Sequence, residues 1–111
     1  MNNECCNTNN QAVLTPEVRK IITDSPYLAL ATISKAGQPH LIVVGKAKEI
    51  KDDNCLVFGV YKMNKTQENI AETGIMQVAA AAGKAGYRLS GKACVKENEV
   101  IFLAEKIEAL L

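Results

Sequence analysis

Lys65 and Thr66 carry the most chemical feature of this sequence. They stand in "MNKTQENI", between the apolar run "CLVFGVY" and a short stretch of helical character. A helix start presents unpaired N–H groups and a partial positive charge, which attract phosphate and disfavour a cation. A lysine at that point fits best if an anion is to share the site. Thr66 would add a hydroxyl donor, and Asn69, one turn on, an amide. The competing reading is that Asn64 caps the helix and Lys65 is solvated; a motif this short leaves both open.

Gly45 and Gly59 each interrupt an apolar strand-like run. Glycine there permits close approach of a ligand or another backbone, or else forms a simple bulge. His40, the single histidine, has no nearby Ser, Cys or Asp that makes a convincing triad. It reads as a surface or half-buried strand residue. Arg88 could pair with an acid or a phosphate, and Tyr87 beside it reads as packing. Cys5 and Cys6 are adjacent and cannot form a C-x-x-C knuckle, so no metal site is expected. They read as tail thiols, and Cys55 and Cys94 as packed small hydrophobes. There is no P-loop, no G-x-G-x-x-G, no H-E-x-x-H and no nucleophile elbow.

The elements that must position these residues follow from pattern. Leu14, Val18, Ile21 and Ile22 share a helical face, with Thr15 and Pro16 suited to its start and Pro26 closing it, so the first helix spans about 15–24. "YLALATIS", "PHLIVVGKAKEI" and "CLVFGVY" read as strands, with "KAGQ" and "KDDN" as turns. Such short strands joined by polar turns imply a meander. A helix follows from Asn64, with Gly74 able to end it. "IMQVAAAAG" reads as a strand of small residues and "GYRLSGKACVKE" as another strand. The last stretch, "NEVIFLAEKIEALL", is helical by period, with Val100, Leu103, Ala104, Ile107 and Leu111 on one face.

The 111 residues fit one domain, expected over 13–111, after a mobile tail over 1–12. With 13 basic and 12 acidic residues, the net charge of +1 leaves no footprint for nucleic acid and no polybasic membrane anchor. No apolar run is long enough to span a bilayer, and the asparagine-rich start lacks the pattern of a signal peptide. A cytoplasmic protein is expected.

In register, "ATISKAGQPHLIVVG", "LVFGVYKMNKTQENI" and "GYRLSGKACV" resemble the pyridoxamine 5'-phosphate oxidase-like, FMN-binding split-barrel proteins. The likeness is strongest to the small FMN-binding and flavoredoxin-like members. It covers about residues 14–97. It implies a mainly β fold: a six-stranded, Greek-key antiparallel barrel, flanked here by N-terminal, central and C-terminal helices. It further implies a homodimer with FMN at the subunit interface. Lys65 and Thr66 would hold the FMN phosphate, with Asn69 at a commonly polar position. The flavin ring would lie against the backbone of Val43, Val44 and Gly45, with Phe58, Gly59 and Val60 opposite. Electron transfer or reduction of a small acceptor would be the activity.

Two departures stand out. The second strand is apolar ("IVVG") where small members often carry polar residues, so contacts there would be main-chain. The strand that usually follows the last helix would be missing. The C-terminal Arg/His motif of true pyridoxamine-phosphate oxidases is absent, so vitamin B6 oxidation is not expected. The alternative is a dimeric, non-enzymatic module of the same fold that has lost flavin or holds haem, a deazaflavin or a protein partner.

Overall fold

A computed structural model of the protein describes residues 13–51 and 53–111. The expected tail lies outside them. Helix α1 (Pro16–Asp24) begins as the sequence suggests: Pro16 opens it, and the Thr15 hydroxyl accepts from the Val18 N–H at 3.3 Å. Seven antiparallel strands follow, with a second helix between the fourth and fifth. They are β1 (Leu28–Ile33), β2 (Pro39–Val44), β3 (Glu49–Ile50), β4 (Cys55–Gly59), β5 (Ile75–Ala82), β6 (Ala85–Lys96) and β7 (Glu99–Ala109), and the helix is α2 (Asn64–Thr73). No helix among the described residues is long and apolar enough to cross a membrane.

The strand order is β2-β1-β5-β6-β7-β4-β3. β1–β2 and β5–β6–β7 are hairpin-connected, but the chain jumps from β2 at one edge to β3 at the other, then returns from β4 to β5 beside β1. This is a Greek-key path, not the meander expected for the first strands. "PHLIVVGKAKEI" is two strands, broken at Gly45, because its halves pair with different partners: β2 with β1, and β3 with β4. The two-residue β3 makes the count seven where six strands were expected.

The C-terminal helix is also corrected. Residues 99–109 form β7, which pairs with β6 on one side and β4 on the other. The same residues satisfy two periods. Val100, Phe102 and Ala104 alternate into the core with a period of two, and Val100, Ile101, Phe102 and Ile107 are β-branched or aromatic, which suits a pleated surface. Two flanking ladders decide the outcome. Glu97 and Asn98, both at positive φ, make the two-residue turn into β7, the hairpin geometry that matches strand twist. The closing strand that the helical reading left missing is therefore β7 itself.

Leu28 and Leu30 of β1, Leu56 and Phe58 of β4, Met76 and Val78 of β5, Leu89 of β6, and Val100 and Phe102 of β7 form the core, with Val18, Ile22 and Ile70 from the helices. Four of the β5 residues are alanine, yet Met76 and Val78 supply its packing. α2 is clamped across the end of β1. Asn69 Nδ2 donates to Thr32 Oγ1 at 3.1 Å, Thr73 Oγ1 to the Ile33 carbonyl at 3.0 Å, and the Lys35 N–H to Glu72 Oε1 at 2.8 Å.

Candidate functional site

The turn out of β4 delivers the start of α2. It bends at Lys62, a non-glycine residue at φ 57°, and Met63 N–H donates to the Val60 carbonyl at 3.1 Å. The N-cap is Met63, not Asn64, and no side chain caps the first turn of α2. Asn64 is the first helical residue, so its amide side chain does not do what the sequence reading asked of it. The helix ends at Gly74 in the left-handed conformation, as expected.

One hollow is lined by this turn, and a second by residues of α2. The first, about 490 Å³, lies between the ends of β2 and β4. Ile42 to Lys46 form one wall; Phe58, Gly59 and Tyr61 to Met63 form the other. Its size falls within the usual range for small-molecule sites, about 300–1,000 Å³. No strand ladder joins β2 to β3 or β4, so this groove is the seam of the rolled sheet. The second hollow, about 590 Å³, lies along the other end of β2 and is lined by Ser34, Lys35, Ala36, Gln38, Pro39, His40, Lys65 and Glu72. β2 contributes to both, while the turn before α2 lines the first and Lys65 and Glu72 of α2 line the second. The first is mostly apolar; the second gathers two lysines, a histidine and a serine against one carboxylate.

Val43, Val44, Gly45, Phe58 and Gly59 thus line one groove. Phe58 has its ring in the core, 1 % exposed, and can offer the groove only main chain. Val60 packs against the core and is not part of the lining. Lys65 is half-exposed in the polar hollow, its Nζ 3.6 Å from Glu68 Oε1. Such an exposed pair is weak, about 0–1 kcal/mol, and leaves the ammonium able to turn to an anion. Thr66 and Asn69 are buried beneath α2, so Thr66 can meet a surface ligand only through its backbone N–H. Asn69 Oδ1 is buried without a hydrogen-bond partner, a cost of about 1–3 kcal/mol in the first turns of α2.

Sequence reasoning missed Ile42, Lys46, Tyr61, Lys62 and Met63 in the groove and Ser34, Lys35, Gln38 and Glu72 in the polar hollow. Proximity in sequence to Gly45, Gly59 and Lys65 was the available signal for most of them. Lys46 is also structural: its Nζ donates to the Thr23 carbonyl at 2.8 Å at the end of α1, where a cation complements the helix dipole. His40 is half-buried in β2, as read. Arg88 pairs with Glu108, Nε to Oε1 2.9 Å, on the β6–β7 surface and away from both hollows. Cys55 and Cys94, expected as packed small hydrophobes, are disulfide-bonded, and Cys55 is fully buried.

The two glycines of the groove differ from the others. Gly37, Gly74 and Gly83 adopt positive φ, and Gly86 and Gly91 are crowded. Gly45 and Gly59 have ordinary φ, and a Cβ on either would meet nothing within 4 Å. Neither conformation nor packing within this chain requires glycine at these positions. What the missing side chains do provide is access to bare backbone from the groove.

A family model described as pyridoxamine 5'-phosphate oxidase matches residues 14–106. No curated protein matches the sequence. Among solved structures, HupZ from Group A Streptococcus is 20% identical, with a TM-score of 0.77 over 86% of this chain and 93% of that one. A putative pyridoxamine 5'-phosphate oxidase from Lactobacillus delbrueckii is also 20% identical, with a TM-score of 0.77 over 90% and 97% of the two chains. An FMN-binding protein from Syntrophomonas wolfei is 14% identical, with a TM-score of 0.67 over 84% and 88%. At these identities the likeness is one of fold.

Proposed function

Because this chain belongs to the pyridoxamine 5'-phosphate oxidase family, we propose that it binds FMN along β2 and serves electron transfer or the reduction of a small acceptor. The observation that carries this reading is the pair Gly45 and Gly59: two glycines facing one groove, each with open space where a side chain would be. A planar ring can reach the strand backbone there, and main-chain N–H and C=O groups can bond its polar edge. The apolar second strand is then no obstacle, since Val43 and Val44 need supply only a surface. The FMN-binding neighbour of the same fold supports the choice of flavin.

The phosphate end belongs in the polar hollow. Lys65 brings a full charge, and the uncapped first turn of α2 brings backbone N–H groups, including that of Thr66. Asn69 acts from beneath, fixing α2 on Thr32. When bound, FMN supplies the redox chemistry, while this chain positions it and tunes its surroundings. No acid or base among the described residues is committed to a substrate, and the cytoplasm is the compartment this reading assumes.

A second copy of the chain completes the site. Tyr27, Leu41, Val43 and Leu111 are exposed on one outer face, and Val43 lines both the groove and an apolar hollow of about 380 Å³ bounded by Tyr27, Leu110 and Leu111. A partner seated on that face would reach the edge of the groove. The test is a fluorescence titration of the apoprotein with FMN, with its mass in solution measured alongside. Saturable quenching by a dimer is expected. A protein that takes up no FMN, or a monomer that binds it fully, would overturn the respective part.

A further inference from the structure

Around the groove, side chains are missing where the backbone would accept them and present where it would not. Gly45 and Gly59 have ordinary φ and open space for a Cβ. Lys62 stands at φ 57°, in the left-handed region, which costs a residue with a Cβ roughly 1–2 kcal/mol. It is the third residue of a four-residue turn, closed by the Met63 N–H on the Val60 carbonyl at 3.1 Å. Glycine or asparagine is the usual occupant of a turn position with positive φ. Backbone conformation therefore explains neither the glycines of the walls nor the lysine of the turn.

The turn presents Tyr61 and Lys62 to the groove. Met63 behind them is buried in the core and anchors the turn. Tyr61 is 81 % exposed although it lines the groove, so its ring contributes little to the packing of this chain. Lys62 Nζ lies 5.5 Å from the centroid of that ring. Such an exposed cation–π contact is worth about 0.5–1 kcal/mol and keeps the two side chains together beside the groove. Phe58, the other aromatic residue of the lining, has its ring in the core. A planar ligand that lies on the bare backbone of Gly45 and Gly59 still has a second face to cover, and Tyr61 is the one aromatic ring of the lining available for it.

We propose that Tyr61 is the aromatic wall of the site: it stacks on the flavin ring and is the group that quenches its emission. This rests on the FMN reading above. An excited flavin draws an electron from a phenol in contact with it, and the electron returns, so emission is lost and nothing is consumed. The chain has three tyrosines and no tryptophan. Tyr87 packs against the core, and Tyr27 is exposed at the apolar hollow of the outer face. Tyr61 alone among them lines the groove.

The test loads the full chain with FMN, measures uptake by equilibrium dialysis, and reads the emission lifetime of the bound flavin. Tyr61→Phe keeps a ring but not an oxidisable phenol. It should take up FMN like the wild type, with a bound-state lifetime severalfold longer. Tyr61→Ala should lengthen the lifetime as much and also weaken FMN about two- to tenfold, the worth of an aromatic stack. Both variants should melt with the wild type, since the side chain is exposed. A wild type that takes up no FMN would sink the flavin reading and this proposal together. FMN that is bound by the wild type but not quenched, or quenched equally in wild type and Tyr61→Phe, would overturn this proposal alone. Quenching lost in Tyr27→Phe instead would overturn it in favour of a ring covered from the second copy.

Discussion

Gly91 and Gly59 sit in strands of one sheet and are glycine for opposite reasons. At Gly91 the β6–β7 register slips, and an added Cβ would stand 1.8 Å from the Leu103 carbonyl oxygen. At Gly59 the same atom would meet nothing within 4 Å. The β6–β7 half of the sheet is close-packed against itself; the β2–β4 seam leaves room. One glycine serves the fold, and the other leaves its backbone open to the groove.

Substitution should separate the two roles. Gly91→Ala must push backbone against backbone, and we expect a loss of about 3 kcal/mol or more, seen as a lower urea midpoint or an insoluble product. A midpoint unchanged from wild type would mean that the bulge can open without cost. Gly59→Val should instead leave the midpoint within about 0.5 kcal/mol and weaken FMN binding tenfold or more, about 1.4 kcal/mol. If FMN binds this variant as tightly as wild type, the ring does not lie on Gly59. Lys65→Ala should weaken FMN severalfold at low salt, and the gap between variant and wild type should narrow as salt rises, because screening removes the charge term. Affinity equal to wild type in fluorescence titration would take Lys65 out of the site.

The smallest effect belongs to the close-packed half. The Arg88 guanidinium, through its hydrogen bond and then its charge, holds the Glu108 carboxyl below the ordinary carboxylate range. A lowered folded pKa adds stability above the unfolded value and loses it as pH falls through the folded one. Both partners are exposed, so the contribution is slight. The melting temperature of wild type should fall slightly more steeply below about pH 4.5 than that of Glu108→Gln. Parallel curves would show that this pair contributes nothing.

Much of the fold was legible because its signals were local. Thr15-Pro16 opens α1, Gly74 closes α2, and "YLALATIS" and "IMQVAAAAG" read as the strands that became β1 and β5. The C-terminal stretch was misread because Val100 and Ala104 fit both a helical and a strand period, and only the ladders to β6 and β4 choose between them. The split of β2 from β3 was likewise invisible, since it depends on partners far apart in the chain. Of the site, Gly45, Gly59 and Lys65 stood out by type. Tyr61, Lys62 and Glu72 did not, because they enter through the turn of α2 and its clamp on β1. Thr66 and Asn69 looked like surface donors in the sequence, but their places on the inner face of α2 bury them.

The seam has a mechanical consequence. The sheet's two edges, β2 and β3, are joined in the chain by only residues 45–48, yet no ladder bonds connect them. Spreading β2 away from β4 therefore breaks no interstrand hydrogen bond, whereas parting any other neighbouring strands would break several. The barrel is stiff around most of its circumference and compliant along this single line. Along that line the wall can bend without unzipping.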